Sequence, residues 1–333
     1  MDFLDRCRLD VPVVQAGMGP VAGGRLAAAV ASAGGLGTIG LLPPEELRSA
    51  IREVRADAPG RAVAVNLLMP IARRRHVEVC LAERVDVVVV AFGGSVELVR
   101  ELRAAGAFTL VMVGTEKQAR LAVAWDADGL IAQGREAGGH VVGTVAAPEF
   151  LPRALAIADG RSVLLAGGIA TAEDTALALA LGARAVVAGS RFLLTEESAA
   201  HPGYQQRVLT ADTTVETALF GLGWPARHRV VPNAATRRWC HRDGRARLLP
   251  TLINAGSGPL ARILPASSGG ALLARQRPCL PLFTPMPPLR DAPESRIESA
   301  ALYAGDSALR MTSVLSAREA VAALTPKEGA GSR

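Results

Sequence analysis

Residues Val85 to Ala91 read VDVVVVA, a run in which apolar side chains occupy nearly every position. A strand with one face in water alternates apolar and polar residues, whereas a strand of a parallel sheet covered on both faces is apolar almost throughout. The run therefore predicts a buried strand in a sheet that is covered on both faces.

The same pattern repeats before and after this strand. Short apolar runs alternate with amphipathic stretches rich in Ala, Glu and Arg, and Pro43 and Pro44 open one of these stretches, as proline does in the first turn of a helix. The predicted strands are 11–16, 36–40, 62–67, 85–91, 108–113, 128–133, 162–166 and 185–188. The predicted helices are 25–33, 43–55, 73–84, 95–105, 115–124, 147–158 and 172–181. This strict alternation predicts an α/β fold, a TIM (β/α)8 barrel; an open doubly wound sheet is the alternative, and the unbroken rhythm favours closure.

The regular alternation ends near Thr195. Residues 240–295 are rich in Pro, Gly, Ser and Arg, and a helical pattern returns at 297–324. We therefore predict a barrel over 1–200 and a smaller appended C-terminal subdomain, rich in helices and loops, over 201–296. A helical segment at 297–325 is expected to pack back on the barrel, and a disordered tail is expected at 326–333.

Composition limits the class of protein. Half of the 333 residues are apolar and a fifth are charged, which is typical of a globular protein, and the formal charge of +6 comes mostly from Arg. This charge is spread along the chain, so it argues weakly for anionic small ligands and hardly at all for nucleic acid.

The cysteines and the hydropathy pattern bear on where the protein is expected in the cell. The four cysteines lie far apart and form no C-x-x-C pair, so they predict neither a zinc site nor a disulfide framework; they are Cys7, Cys80, Cys240 and Cys279. No signal-peptide core and no run of eighteen apolar residues is present. We expect a soluble cytoplasmic protein without a metal or a membrane partner.

A glycine-rich stretch, IAQGREAGGHVVGT, spans Ile131 to Thr144. Its four glycines disfavour helix and strand interiors, so the segment is predicted to be a loop that leaves a strand and lets backbone approach a ligand. The residues beside His140 are too small to enclose it. This favours an imidazole that faces a cavity over a histidine that merely caps a turn, although both interpretations stay open from the loop alone.

Polar and glycine residues follow several predicted strands. Asn66 ends the third strand and Gln133 the sixth, and in a barrel all strand ends surround one pocket. Gly167 and Gly168 follow strand seven, and the pair Gly189–Ser190 follows strand eight. Barrels often bind a phosphate between these two loops, so the paired signals predict a phosphate site.

Three other motifs are assigned structural roles. Gly35, Gly37 and Gly40 spell G-x-G-x-x-G, but a strand lies inside the motif and prolines follow it, so a dinucleotide site is rejected. The basic run 73–76 is predicted to be a solvated helix face rather than a nucleic-acid site. The other histidines carry no motif for catalysis or metal binding. His201 in HPGY, near Tyr204, is predicted to begin a helix, whereas His228 and His241 are isolated in Arg-rich loops.

Several ordered motifs resemble the nitronate monooxygenase family, formerly the 2-nitropropane dioxygenases, and the related flavin-dependent enoyl-acyl-carrier-protein reductases. The motifs are VVQAGMGPVAGGRLAAAVASAGGLGTIG, VNLLM around Asn66, AQGREAGGH, LLAGGIATAED and AVVAGSRFLLTEES. The similarity is dense over 11–200 and extends through HPGYQQRVL, the GWP near Trp224 and LYAGDSAL. It departs from the family pattern at Gly17–Gly19, Pro232 and Asp306.

This resemblance implies a TIM barrel that binds FMN, with His140 as the catalytic histidine. The implied cofactor contacts are Ala16, Gly17, Met18, Asn66, Gln133, Gly138, Gly167, Gly168, Val187, Ala188, Gly189 and Ser190. Tyr303 and Ser307 are implied substrate contacts.

The implied reaction is the oxidation of alkyl nitronates, and of neutral nitroalkanes, by O2 to a carbonyl compound and nitrite. A monomer or homodimer is expected. The alternative is an NAD(P)H-dependent FMN reductase of enoyl thioesters or quinones, and a third hypothesis is a flavin-binding accessory or sensor protein without turnover.

Overall fold

The chain divides into two units in the computed structural model, which describes residues 3–263 and 275–327. The first unit comprises Met1–Ala137, Val142–Ala199 and Ser313–Arg333, and the second comprises Gly138–Val141 and Ala200–Thr312.

Eight parallel strands form the sheet of the first unit. In chain order they are β1 (Val13–Gln15), β2 (Thr38–Ile39), β3 (Ala64–Leu68), β4 (Val87–Ala91), β5 (Phe108–Val113), β6 (Gly129–Gln133), β8 (Ser162–Ala166) and β9 (Ala185–Ala188); the short strand β7 (Gly139–His140) belongs to the second unit. Their order in the sheet is β1-β9-β8-β6-β5-β4-β3-β2. Each predicted strand is present, and every predicted end lies within two residues of the observed one.

The sheet closes between β1 and the segment that leads into β2. Val14 and Leu36 form a parallel bridge, in which the Leu36 N–H donates to the Val13 carbonyl and the Gln15 N–H donates to the Leu36 carbonyl, each at 2.9 Å. The buried Gln15 side chain adds two contacts, since its Oε1 accepts from the Thr38 N–H at 3.0 Å and its Nε2 donates to the Thr38 carbonyl at 3.1 Å. The predicted TIM barrel is therefore confirmed, and the open sheet is excluded.

Nine α-helices are described in the first unit up to residue 193, seven of them between strands of the barrel and one at each end. They are α1 (Phe3–Cys7), α2 (Gly24–Ser32), α3 (Pro44–Asp57), α4 (Arg74–Ala82), α5 (Val96–Ala104), α6 (Glu116–Ala124), α7 (Ala147–Ile157), α8 (Ala172–Ala180) and α9 (Ser190–Leu193). Side-chain caps define several starts: Ser95, Thr115 and Thr171 each accept a hydrogen bond from a backbone N–H of the first turn.

The barrel strands divide their side chains between two apolar clusters. In β4, Val87 and Val89 lie in a cluster with Leu110, while Val88 and Val90 lie in a second cluster with residues of the surrounding helices. Because successive residues of a strand point to opposite faces, a strand inside a closed and helix-covered barrel must be apolar at every position. This is the physical origin of the VVVV run.

The second unit has a small antiparallel sheet of order β10-β11-β7, with β10 at Val215–Thr217 and β11 at His228–Val230. Its helices are α10 (Pro202–Leu209), α11 (Ala234–Trp239) and α12 (Leu248–Ile263). One expectation is corrected, because the stretch around His140 is not loop throughout: residues 139–140 pair with β11. The Pro-rich region 240–295 contains the 16-residue helix α12. Pro250 falls in the first turn of that helix, where no N–H is needed.

The predicted boundary at residue 297 is also corrected. Side-chain Nδ2 of Asn233 donates to the Ile297 and Ala300 carbonyls at 2.9 and 2.8 Å, and the Val231 N–H donates to the Leu302 carbonyl at 2.8 Å. These bonds keep residues 297–312 in the second unit. Helix α13 (Ala317–Leu324) contacts α2 and α8 of the first unit. Most of the expected tail, residues 328–333, lies outside the described residues, and no helix within the described ranges has the length and apolarity to span a bilayer.

Candidate functional site

Two buried amide side chains lie on barrel strands, one at a strand end and one in the middle of a strand. Gln133 is the last residue of β6, as predicted, and its Oε1 accepts a hydrogen bond from the Val142 N–H at 2.8 Å. Asn66 lies in the middle of β3, two residues before the strand ends at Leu68, so its predicted position at the strand end is corrected. Their exposed fractions are 4% and 2%, respectively.

Asn66 contacts the segment that follows β1. Its Nδ2 donates to the Gly17 carbonyl at 3.4 Å, and a Cβ at position 17 would overlap the Asn66 side chain. Asn66 Oδ1 is buried and has no hydrogen-bond partner in the described part of the chain. A buried acceptor without a partner is costly, so this oxygen is suited to an N–H group of a ligand.

The end of β1 lies beside the loop that follows β9. The Ala16 N–H donates to the Ala188 carbonyl at 2.9 Å, and Val187 pairs in register with Val14. A Cβ built at Gly189 would lie 3.8 Å from Ala16 Cβ and 3.9 Å from Met18 Sδ, which are ordinary contact distances. Gly189 precedes the four-residue helix α9, which begins at Ser190. The structure thus brings the predicted segments 16–18 and 187–190 together.

The turn after β8 requires glycine. Gly167 and Gly168 have φ values of 112° and 77°, which L-residues with a Cβ rarely adopt. Ala166 at the end of β8 pairs with Val187 of β9, so the two predicted phosphate loops follow neighbouring strands.

Glu136 lines the same turn, and the sequence interpretation missed it. A Cβ at Gly168 would lie 3.5 Å from Glu136 Cγ and 3.5 Å from its Oε1. Glu136 Oε1 accepts a hydrogen bond from the Ala147 N–H at 2.8 Å, while Oε2 is buried without a partner among the described residues. The carboxylate therefore anchors the loop to the start of α7 and leaves one acceptor for a ligand hydroxyl.

In the second unit, His140 is held by aromatic rings. Its imidazole stacks on Trp224 with ring centroids 3.8 Å apart and planes 10° apart, and the centroids of His228 and Tyr303 lie at 5.2 and 5.5 Å. The expectation that small neighbours leave His140 unenclosed is therefore wrong. The enclosing rings come from residues far along the chain, and no local sequence signal identifies them.

Gly138 and the strand pairing bring His140 to these rings. His140 lies opposite His228 in the β7–β11 register, and the Val141 N–H donates to the Arg227 carbonyl at 2.9 Å. A Cβ at Gly138 would overlap the backbone of Ala304 and Gly305. The glycine therefore permits a backbone approach that any larger residue would block.

The sequence predicted that His228 is isolated in a loop, and this prediction is wrong. It is fully buried on β11, its Nδ1 lies 2.9 Å from the Ala226 carbonyl, and its Nε2 accepts a hydrogen bond from the Phe220 N–H at 3.3 Å. A nitrogen that faces a carbonyl must donate and one that faces an N–H must accept, so His228 is the neutral Nδ1–H tautomer. Burial agrees, since it lowers the pKa of His228 to about 4.

His140 is also neutral. Burial, and secondarily the neighbouring His228, lower the pKa of His140 well below its usual value of 6.5. Its Nε2 is closed to solvent. Near pH 7 the imidazole can therefore accept a proton. Burial disfavours the protonated, charged form, so the ring does not stay charged.

The predicted substrate residues have different surroundings. Tyr303 belongs to the aromatic cluster, its hydroxyl donates to the Pro285 carbonyl at 2.9 Å, and burial raises its pKa, so the phenol stays protonated. Ser307 is buried in a 3-10 helix at Asp306–Arg310. No described hydrogen bond links Ser307 to His140.

The other motifs have structural roles. Gly37 and Gly40 pack against the backbone of Ala27 and Gly19, where a Cβ would overlap. His201 caps α10 by accepting from the Gly203 N–H at 2.9 Å, as predicted.

The prediction of a solvated face at 73–76 holds for the arginines, and Arg74 pairs with Glu101 at 2.6 Å. His76 departs from it, because it is buried and accepts a hydrogen bond from the Arg73 N–H at 2.9 Å.

Comparisons with known proteins give a consistent assignment. The nitronate monooxygenase family model matches residues 3–73 and 56–327. A nitronate monooxygenase of Pseudomonas aeruginosa is 33% identical over 62% of this chain and 73% of its own length.

A (3aS,4S,5R,7aS)-5-hydroxy-7a-methyl-1-oxo-octahydro-1H-indene-4-carboxyl-CoA dehydrogenase of Mycobacterium tuberculosis is 40% identical over 67% of this chain. The match spans slightly less than two thirds of that relative, 63% of its length.

Solved structures agree with the fold. FabK from Thermotoga maritima superposes with a TM-score of 0.76 at 28% identity, covering 96% of this chain and 93% of FabK. A nitroalkane oxidase from Streptomyces ansochromogenes gives 0.72 at 28% identity, with 95% of each chain covered. The motif resemblance is thus confirmed by a family match over nearly all of the chain, and this protein belongs to the nitronate monooxygenase family.

Proposed function

We propose that this protein binds FMN at the carboxyl-terminal end of its barrel and oxidises alkyl nitronates, and neutral nitroalkanes, with O2 to a carbonyl compound and nitrite. The observation that carries the proposal is the neutral His140 imidazole, stacked on Trp224 in a chain of this family. A neutral imidazole is the form of histidine that removes a proton from a weak carbon acid.

The barrel residues fit FMN. Asn66 Oδ1 is a buried hydrogen-bond acceptor that we assign to the flavin ring. Gly167 and Gly168 have positive φ and form the turn that we assign to the phosphate, together with the loop at Gly189. The proposed ring contacts are Ala16, Gly17, Met18, Asn66, Gln133 and Gly138. The proposed phosphate contacts are Gly167, Gly168, Val187, Ala188, Gly189 and Ser190. When bound, FMN would supply the oxidation of the nitronate and the reaction with oxygen.

His140 acts on the substrate proton. The α-hydrogen of a nitroalkane is acidic because the resulting carbanion delocalises into the nitro group, and His140 accepts this proton when the substrate arrives in the neutral form. When the substrate arrives as the nitronate anion, no proton needs to move. The surroundings that keep His140 neutral then limit its contribution to orientation and an N–H hydrogen bond, without a full positive charge.

Tyr303 and Ser307 are the proposed substrate contacts. The Tyr303 hydroxyl already donates to Pro285, so its ring rather than its proton is available to an organic substrate. It therefore contributes shape and an apolar wall beside His140.

The second candidate is an NAD(P)H-dependent reductase of enoyl thioesters or quinones. The observation in its favour is that relatives 40% and 38% identical to this chain are named carboxyl-CoA dehydrogenases. The same barrel and the same neutral histidine are compatible with either reaction.

Anaerobic mixing distinguishes the candidates. The purified protein is first reconstituted with FMN and its absorbance spectrum recorded, then mixed without oxygen with either NADH or the nitronate form of 3-nitropropionate. The proposal expects the nitronate alone to bleach the flavin, and oxygen uptake and nitrite release once air is admitted. Rapid bleaching by NADH with no response to the nitronate supports the reductase. A bound flavin that responds to neither, nor to quinones, indicates a protein without turnover.

A further inference from the structure

Helix α12, in the second unit, exposes leucines on the side that a helix of a globular protein usually covers with polar residues. Leu248, Leu249 and Leu252 are exposed over 72%, 51% and 60% of their surfaces, respectively. Leu252 lies three and four residues after the other two, so all three occupy one side of the helix. A single exposed leucine is ordinary, but three on one side of a helix form an apolar surface patch.

The opposite side of α12 is held by polar contacts. Asn254 Nδ2 donates to the Ala218 and Leu219 carbonyls at 2.9 and 3.0 Å, and Ser257 Oγ accepts from the Gly223 N–H at 2.7 Å. Asn254 and Ser257 are both buried. Rotating the helix to bury its leucines would break these hydrogen bonds, so the contacts keep the leucines directed outward.

A basic hairpin leads directly into α12. Cys240 and Ala246 form an antiparallel bridge, and the Arg247 N–H donates to the Trp239 carbonyl at 2.8 Å, one residue before the helix begins. The stretch 237–247 reads RRWCHRDGRAR, with five arginines and one aspartate. All five arginines are exposed. The chain therefore places a cluster of positive charge beside the leucines.

Most of this charge is not neutralised within the described ranges of the chain. Two of the five arginines pair with Glu298 and Asp243. The other three form no ion pair with a described residue, and they are Arg238, Arg242 and Arg247. The first turn of α12 also contains no acidic residue, so the partial positive charge of the helix N-terminus adds to that of the arginines.

Trp239 joins a second apolar segment to the hairpin. Its Nε1 donates to the Pro278 carbonyl at 2.8 Å, and the exposed side chains of Leu280 and Leu282 follow directly along the chain. The guanidinium carbon of Arg238 lies 5.5 Å from the centroid of the Trp239 ring. Leucine, tryptophan and arginine together are typical of a surface that contacts the boundary between lipid headgroups and acyl chains.

We propose that the leucine side of α12 and the arginines of 237–247 form a surface that binds reversibly to an anionic phospholipid membrane. Leu248, Leu249 and Leu252 enter the headgroup boundary, and the arginines contact the lipid phosphates. A second copy of this chain is a less suitable occupant, because a two-fold contact through the leucines would bring two clusters of arginines together. The sequence-based expectation of no membrane partner considered only spanning segments, and a surface contact needs none. The proposal is independent of the flavin, since no barrel residue takes part in it.

The test is cosedimentation of the whole protein with lipid vesicles, in low and in high salt. One set of vesicles contains phosphatidylcholine alone, and the other contains phosphatidylcholine mixed with phosphatidylglycerol. One double variant, Leu248→Gln with Leu252→Gln, removes apolar contact. The other, Arg242→Gln with Arg247→Gln, removes charge. Thermal melts check that each variant folds.

Matched controls carry the same substitutions elsewhere on the surface. Leu177→Gln with Leu181→Gln replaces two exposed leucines that also lie four residues apart, but in the first unit. Arg75→Gln with Arg318→Gln replaces two exposed arginines of the first unit. Each control changes apolar surface or net charge by the same number of residues as its partner, so only the position differs.

The proposal expects the wild type and both controls to sediment with the anionic vesicles and to be released by high salt. Both site variants should bind about tenfold more weakly. Failure of the wild type to bind anionic vesicles, or equal binding by site variants and controls, overturns the proposal. A dimer in sedimentation velocity that becomes a monomer in the leucine variant also overturns it, because a second copy then covers the leucines. If the leucine variant does not fold, the arginine variant decides by the same criterion.

Discussion

The imidazole of His140 lies flat against the indole of Trp224, with 3.8 Å between ring centroids and 10° between ring planes. A stack of this geometry fixes the orientation of the imidazole plane, because tilting the ring loses contact across its whole face. A catalytic base contributes most when its nitrogen is already directed at the substrate proton.

We therefore expect Trp224→Ala to lower the rate with neutral nitroalkanes by about 10- to 100-fold, because the imidazole loses its fixed plane. Trp224→Phe keeps an aromatic face and should retain most of the rate. Steady-state oxygen uptake measures both variants, and flavin content checks their folding. Equal loss in the two variants would mean that the indole itself, and not the stack, is required.

Replacing the base should separate the two forms of the substrate. His140→Ala is expected to keep FMN and to lose about 10²- to 10⁴-fold in kcat/KM for a neutral nitroalkane, because general base catalysis is removed. The loss on the corresponding nitronate should be much smaller. The control is His241→Ala, an exposed histidine of the same unit, which should leave both activities unchanged. Equal losses on both substrates would remove His140 from the role of base.

The pH dependence follows from the low pKa of His140. An ordinary histidine base would lose activity as the pH falls through its usual value of 6.5, whereas burial keeps His140 neutral well below that value. We expect kcat/KM for a neutral nitroalkane to stay level as the pH is lowered from 8 through 6.5. A fall of this kcat/KM with a midpoint near pH 6.5 would contradict a buried neutral base. The nitronate form serves as the control substrate, because its oxidation needs no proton removal.

His228 should make the stability of the protein depend on pH. Its folded pKa is about 4 against 6.5 when exposed, so the unfolded chain binds more protons between these values. The stabilisation is complete above pH 6.5 and is lost as the pH falls towards 4, by roughly 3 kcal/mol in all. His228→Gln should flatten the fall of the melting temperature in this window. An unchanged slope would show that other groups cause it.

The strands of the barrel were predictable because their signal is local. Each is a short apolar run between amphipathic stretches. The VVVV run of β4 is typical of a strand in a sheet that is covered on both faces. The positions of the glycines at 167, 168 and 189 after strands seven and eight could be predicted for the same reason, and their role in phosphate binding stays a prediction.

The surroundings of His140 were not predictable in the same way. Trp224, His228 and Tyr303 come from three separate segments, and no periodicity in HRVV distinguishes a buried histidine from one in an Arg-rich loop. Glu136 lies four residues before His140, but its contact with the turn at Gly168 depends on the pairing of β6 with β8. Such contacts are set by tertiary packing, and only the folded structure reveals them.

Gly168 offers a sharp test of the proposed phosphate loop because the chain contains a matched control. Gly168 has φ of 77° and Gly60, in an exposed turn, has φ of 80°. A Cβ at Gly168 would meet Glu136 only at ordinary contact distance, and one at Gly60 would meet nothing within 4 Å. Substitution by alanine should therefore cost each site the same backbone strain, roughly 1–2 kcal/mol, without a clash.

The two variants should differ only in flavin binding. Both Gly168→Ala and Gly60→Ala are expected to lower the melting temperature of the apoprotein by a similar amount. Gly168→Ala alone should weaken FMN binding, by about tenfold, because its turn holds backbone donors in the orientation that the phosphate needs. Titration of the apoprotein with FMN, followed by quenching of flavin fluorescence, gives both dissociation constants. If Gly60→Ala loses as much affinity as Gly168→Ala, general destabilisation explains the loss, and the turn after β8 has no special part in holding the cofactor.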